Sequence, residues 1–143
     1  MPNRWQPGCL QNRIWGNSLV KPMMILIAGP YRSGTGDDPE KIAANIRLME
    51  SFAVPIFDLG HIPVLGEWIA LPLVHLAGST RLGDETFNRI FHPLAEKLLE
   101  KCDAVLRVGG KSAGADRMVE VAQRKGLQTF TKLEHIQPAS GKE

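Results

Sequence analysis

Cysteine is scarce in this chain of 143 residues: Cys9 and Cys102 are the only two. They lie far apart and match neither a metal-ligand spacing nor a CxxC pair, which argues against a disulfide framework and for reduced thiols in a cytoplasmic compartment. Long apolar runs are missing as well. The longest, Met23 to Ala28, is far short of the roughly 20 residues a membrane span needs, so no membrane partner is expected. Residues 1–22 hold no apolar stretch of signal-peptide length. Charge of one sign is lacking too: the formal net charge is +2, spread along the chain, whereas a protein that binds nucleic acid polymers gathers Lys and Arg. His61, His75, His92 and His135 show no ligand spacing with carboxylates or thiols, so neither a metal site nor a cofactor is expected.

With 43% hydrophobic and 22% charged residues, the composition is that of one globular domain with one core. Met24 to Ala28 is wholly apolar and ends at Gly29, as a strand buried on both sheet faces does. Asp37-Asp38-Pro39 then supplies an N-cap and an N1 proline for a helix carrying Ile42, Ile46, Met49 and Ala53, which Pro55 should kink or end. His61 to Leu65 predicts a second strand, with Pro63 marking an edge or a strand end. Glu67 to Ala77 is apolar without a clear polar stripe, hence a buried helix or a surface that a partner chain covers. Phe87 to Lys101 reads as helical, broken or restarted at Pro93. Asp103 to Val108 reads as a strand, Ala115 to Ala122 as a short helix stopped by Gly126, and Leu127 to Leu133 as the last element.

Alternating strands and helices predict an α/β fold, a flavodoxin-like or Rossmann-like doubly wound parallel sheet of four to five strands. It occupies residues 23–136, between a poorly ordered arm (1–22) and a frayed tail (137–143). Such sheets bind ligands beyond the carboxyl ends of their strands, where two glycine-rich turns fall. In the first, Gly29-Pro-Tyr-Arg-Ser-Gly-Thr-Gly36, the loop including Ser33 and Gly34 exposes backbone N–H groups and Arg32 offers a charged fork to an anion. The plainer reading is a long connecting loop. Tyr31, the only tyrosine, can stack on a ligand ring or cover the core. A Walker A motif is excluded, because Thr35-Gly36 stands where Lys and Ser/Thr belong. In the second turn, Gly109, Gly110, Lys111, Ser112 and Gly114 have the parts of an anion cradle at a helix N-terminus, the plainer reading being a simple turn. Asp116 would repel a phosphate there and faces either a sugar hydroxyl or solvent.

Three segments, Ile27-Ala-Gly-Pro-Tyr-Arg32, Gly60-His-Ile-Pro-Val64 and Cys102-Asp-Ala-Val-Leu-Arg-Val-Gly-Gly-Lys-Ser-Ala-Gly-Ala115, together resemble the nucleoside 2-deoxyribosyltransferase-like superfamily. The resemblance spans roughly residues 24–131. It implies a flavodoxin-like sheet, a nucleoside or nucleotide ligand and a homo-oligomer, a dimer or larger. It also implies a glutamate nucleophile in the pattern Ser-x-Gly-x-x-x-Glu, attacking the anomeric carbon as in retaining glycosidases. Ser112 and Gly114 fit that pattern, but Met118 occupies the glutamate position, and a thioether cannot perform the step. Pro93 and Ala95 stand where a helping aspartate is expected. Asp84 and Glu85, the nearest acids, read as a helix cap and a first-turn acid.

Asp116 and Glu120 are the candidate replacement carboxylates. At about 100° per residue each projects roughly 200° away from Met118, and with Gln123 they also form a simple solvated face. Three functions follow: a nucleoside- or nucleotide-binding protein without the glutamate chemistry; an active N-glycosidase or deoxyribosyltransferase using Asp116, Glu120 or a neighbouring subunit's carboxylate; and an oligomerising or partner-binding module with Trp68 to Leu76 as its contact surface.

Overall fold

The computed structural model describes residues 20–140; Cys9 and the expected arm up to residue 19 lie outside them, as do residues 141–143. Strand β1 (Met24–Ala28) is the centre of the molecule because alternate side chains find a core on each side. Ile25 and Ile27 pack on one face with Met49 and Ile56, while Leu26 and Ala28 pack on the other with Leu99, Met118 and Ala122. Burial on both faces explains why the run contains no polar residue.

The elements that follow are α1 (Pro39–Glu50), α2 (Ala53–Asp58), β2 (Ile62–Val64), α3 (Gly66–Leu76), α4 (Glu85–Glu100), β3 (Ala104–Arg107), α5 (Ala113–Arg124) and β4 (Gln128–Phe130). A 3-10 turn covers Leu133–His135. The four strands are all parallel, in the order β2-β1-β3-β4, with Ile25 opposite both Pro63 and Ala104. This is the doubly wound, flavodoxin-like arrangement: α1 and α2 cover one face, α4 and α5 the other. Pro63 lies on an edge strand, where its missing N–H disrupts no inner ladder.

Three features differ from the sequence expectation. The first helix ends at Glu50, and Pro55 lies inside the first turn of a new helix, α2, where a proline's absent N–H has no intrahelical partner to lose. Helix α4 continues through Pro93 without a break. Pro93 and Arg89, whose carbonyl loses its partner, are both on the exposed side, and Phe87, Phe91 and Leu99 hold the other side in the core. Residues 137–140 are tied back onto the domain: Ala139 is buried and its N–H donates to the Leu59 carbonyl (2.8 Å).

That tie runs through His61, which is 1% exposed. Its Nδ1 accepts from the Met23 N–H (3.0 Å), which leaves the proton on Nε2 to donate to the Gln137 carbonyl (2.7 Å). One ring thereby satisfies two backbone groups at opposite ends of the domain.

Candidate functional site

Successive connections leave β1 in opposite directions: α1 and α2 lead to β2 on one side, and the next strand, β3, lies on the other. Loops diverge at such a switch point and open a crevice beyond the carboxyl ends of the strands. A cavity of about 600 Å³ occupies this place, a size suited to a small organic ligand. Both glycine-rich turns contribute to it: Gly29, Tyr31, Arg32, Ser33, Gly36 and Asp37 from the first, Ser112 and Gly114 from the second.

The two turns interlock by close backbone approach. A Cβ on Gly29 would lie 2.9 Å from the Val108 carbonyl oxygen, and one on Gly109, whose φ is +76°, would lie 2.7 Å from Pro30 Cδ. The first turn is also bonded internally. Thr35 Oγ1 donates to the Arg32 carbonyl (2.6 Å) and accepts from the Asp37 N–H (3.1 Å), and Asn45 of α1 donates to the Tyr31 carbonyl (2.9 Å). Asp37 takes a left-handed φ of 61°, uncommon outside glycine. Arg32 grips its carboxylate with Nε and Nη2, both at 2.9 Å, which holds the Asp37 pKa below the usual carboxylate range. The guanidinium expected to offer an anion a free fork is therefore engaged by Asp37, and it also lies over the Phe87 ring at 5.6 Å.

Tyr31 packs against the core, the plainer of its two expected roles, and is also part of the cavity wall. Its ring stacks on Phe91 (centroids 5.2 Å apart), which stacks on Phe87 (4.7 Å). Burial, then the nearby Glu67 carboxyl, raises its hydroxyl pKa.

On the second turn, Ser112 caps α5: its Oγ accepts from the Ala115 N–H (3.1 Å) and the residue is buried. Gly114 lies beside the His92 ring, and Met118 reaches the cavity wall on the apolar face of α5 with Ala115. Gly34, Gly109, Gly110 and Lys111 are not among the lining residues. Gly110 serves the fold instead, its carbonyl accepting from Arg107 Nη2 (2.7 Å).

Asp116 and Glu120 lie outside the cavity. Asp116 accepts from Arg107 Nε (3.0 Å) with its side chain 66% exposed, and Glu120 is exposed beside Gln123 and Arg124. Asp84 is a helix cap, as expected: it accepts from the N–H of Phe87 (2.8 Å), the N–H of Thr80 (2.9 Å) and the Ser79 hydroxyl (2.8 Å). These bonds lower its pKa to about 2.

Besides Asp37, which Arg32 holds, the cavity is lined by one further carboxyl, Glu67, in the first turn of α3, a residue the sequence reading passed over. Burial pushes its pKa up to about 7, opposed only by its own backbone N–H. A signal for it existed: Glu67 is the only acid from Ile62 to Leu76, a stretch that is apolar apart from it and His75. His92 was likewise missed, since it follows no motif and enters the cavity only because α4 packs beside α5.

Among the described residues no cluster of three metal-ligating side chains occurs, and no helix is long and apolar enough to cross a membrane. No protein-family model matches the chain, and no curated protein matches it either.

Proposed function

We propose that this protein binds a nucleoside or nucleotide in the cavity beyond β1 and β3, without a carboxylate nucleophile at position 118. The observation that carries the reading is the convergence of Tyr31, Ser112 and Gly114 on one cavity at the switch point, since these belong to the segments that resemble the deoxyribosyltransferase-like superfamily, with Met118, at the position of that family's glutamate, on the same wall. The apolar wall of Tyr31 and Phe91 suits a heterocyclic ring, and the capped start of α5 suits the sugar or phosphate end. Met118 supplies contact surface there but no nucleophile. Transfer or glycosidase chemistry through Asp116 or Glu120 gains little support from the geometry, because one is paired with Arg107 and both lie outside the cavity.

Calorimetry of the full chain with nucleosides and their 5'-monophosphates tests the reading. Saturable one-to-one binding that is weakened by Ser112→Tyr, which fills the cavity from the α5 side, is expected. A folded sample that binds none of them refutes it.

A second reading, compatible with the first, is that the chain forms a homo-oligomer through α3. Ile69, Leu73 and Leu76 recur at spacings of four and three along one stripe, and all are exposed, Leu76 by 80%. Light scattering on the wild type and on Leu73→Glu/Leu76→Glu decides it: the variant should be the smaller species, and a monomeric wild type at micromolar concentration ends the idea.

A further inference from the structure

Glu67 lines the cavity together with Tyr31, Ala70, Phe91 and Ala95, and no cation among the described residues pairs with it. The other acid on the cavity wall, Asp37, is held by Arg32. Burying a carboxyl that no arginine or lysine neutralises is unfavourable for folding unless the group stays neutral or meets a ligand that uses it. A neutral carboxyl presents an O–H donor beside a C=O acceptor.

The complementary partner offers an acceptor beside a donor in one plane. The N–C–NH₂ edge of an aminated ring does so, and its ring nitrogen is a stronger acceptor than a carbonyl oxygen. The stacked pair of Tyr31 and Phe91 gives such a ring an aromatic face to lie against. We propose that Glu67, as a neutral carboxyl, is the specificity-determining residue of this cavity, pairing its O–H and C=O with the ring nitrogen and amino group of an adenine- or cytosine-type heterocycle. This rests on the nucleoside reading above and narrows it to one class of base.

Burial raises the Glu67 pKa to about 7, so the neutral form prevails below neutrality and is lost above it. The titratable or charged groups that face the same space are Tyr31, Arg32 and Asp37 from the first turn and His92 from α4; β1 and α5 contribute none to the lining. Arg32 and Asp37 neutralise each other, and His92 is the ionisable neighbour that the experiment must control for beside Glu67.

Glutamine separates them, because it keeps one donor and one acceptor in the same place and does not titrate. The experiment is calorimetry of the full chain and of Glu67→Gln with 2'-deoxyadenosine, 2'-deoxycytidine, 2'-deoxyguanosine and purine 2'-deoxyriboside, at pH 6 and pH 8. For the wild type, the two aminated nucleosides should bind about tenfold more weakly at pH 8 than at pH 6, as expected for a required proton on a group titrating near 7. Purine 2'-deoxyriboside, which lacks the amino group, should bind at least roughly tenfold more weakly than 2'-deoxyadenosine at pH 6. Glu67→Gln should bind the aminated pair with the wild-type pH 6 affinity at both pH values. Preference for 2'-deoxyguanosine with affinity rising with pH would mean that an ionised carboxylate reads two N–H donors, and overturns the proposal. So does a pH dependence that survives in Glu67→Gln, which would belong to His92, or nucleoside binding indifferent to position 67. If no nucleoside or nucleotide binds the folded wild type, the nucleoside reading itself falls and this inference with it.

Discussion

Gly29 and Val108 fix the distance between the two turns: a Cβ at residue 29 would stand 2.9 Å from the Val108 carbonyl oxygen and 3.0 Å from Met49 Cγ. The obstructing oxygen is backbone at the end of β3 and cannot swing away. Gly29→Ala must therefore push β1 and β3 apart at their carboxyl ends, and we expect a loss of about 1–3 kcal/mol in denaturant unfolding. The same displacement opens the cavity wall, so nucleoside affinity should fall with stability. An alanine variant as stable as the wild type would show that the turns are not in this register.

His61 should be costly to replace for a different reason. Alanine there leaves the buried Met23 N–H without its acceptor and removes the bond from the ring to the Gln137 carbonyl. Unfolding of His61→Ala should require roughly 2–4 kcal/mol less than the wild type. Amide exchange at Met23 and Ala139 should rise before exchange in β3, because the ring ties those segments to the domain. Equal protection in both proteins would refute this role.

How far the sequence carried these conclusions depended on whether a signal was local. The β1 run, the Asp38 cap and the edge proline Pro63 are written in neighbouring residues, and each has its expected place in the structure. The path of α4 through Pro93 was not legible, because packing of Phe87, Phe91 and Leu99 against the core outweighs one missing hydrogen bond, and that packing is tertiary. The site divides in the same way. Both turns were found from their glycines, whereas Glu67 and His92 come from two helices that meet only in the folded chain. The Arg32–Asp37 pair is local in sequence, yet it depends on the left-handed turn at Asp37, which residue type alone does not announce.

Asp116 and Glu120 should prove dispensable for ligand binding. Arg107 keeps its bonds to the Val108 and Gly110 carbonyls when Asp116 is removed, and an ion pair this exposed adds little. The double variant Asp116→Ala/Glu120→Ala is expected to bind nucleosides as the wild type does and to unfold within about 1 kcal/mol of it. Loss of nucleoside affinity in this variant, with the fold intact by circular dichroism, would move the site out of the cavity.

Asp84 sets an acid limit. Its folded pKa is depressed to about 2 by the N–H groups and the hydroxyl it accepts from, so the stabilisation it provides is present above the ordinary aspartate range. It is lost as the pH falls from about 4 toward 2. Asp84→Asn should flatten the stability profile in that window and change little between pH 6 and 8. A profile equally steep in the variant would assign acid unfolding to other carboxylates.

Glu67 works in the opposite sense. Its folded pKa is raised from 4.5 to about 7, so the folded state holds a proton that the unfolded chain has already released. Stability from this group therefore falls as the pH rises through that interval, and the penalty persists above it. The full difference amounts to about 3 kcal/mol. Glu67→Gln abolishes the titration while keeping the shape, so it should be more stable than the wild type at pH 8, by up to that amount, and indistinguishable from it at pH 4. Chemical denaturation at the two pH values, without ligand, measures both. If glutamine changes stability equally at pH 4 and pH 8, the carboxyl titrates alike in the folded and the unfolded chain, and a carboxyl held neutral by the cavity near pH 7 is excluded.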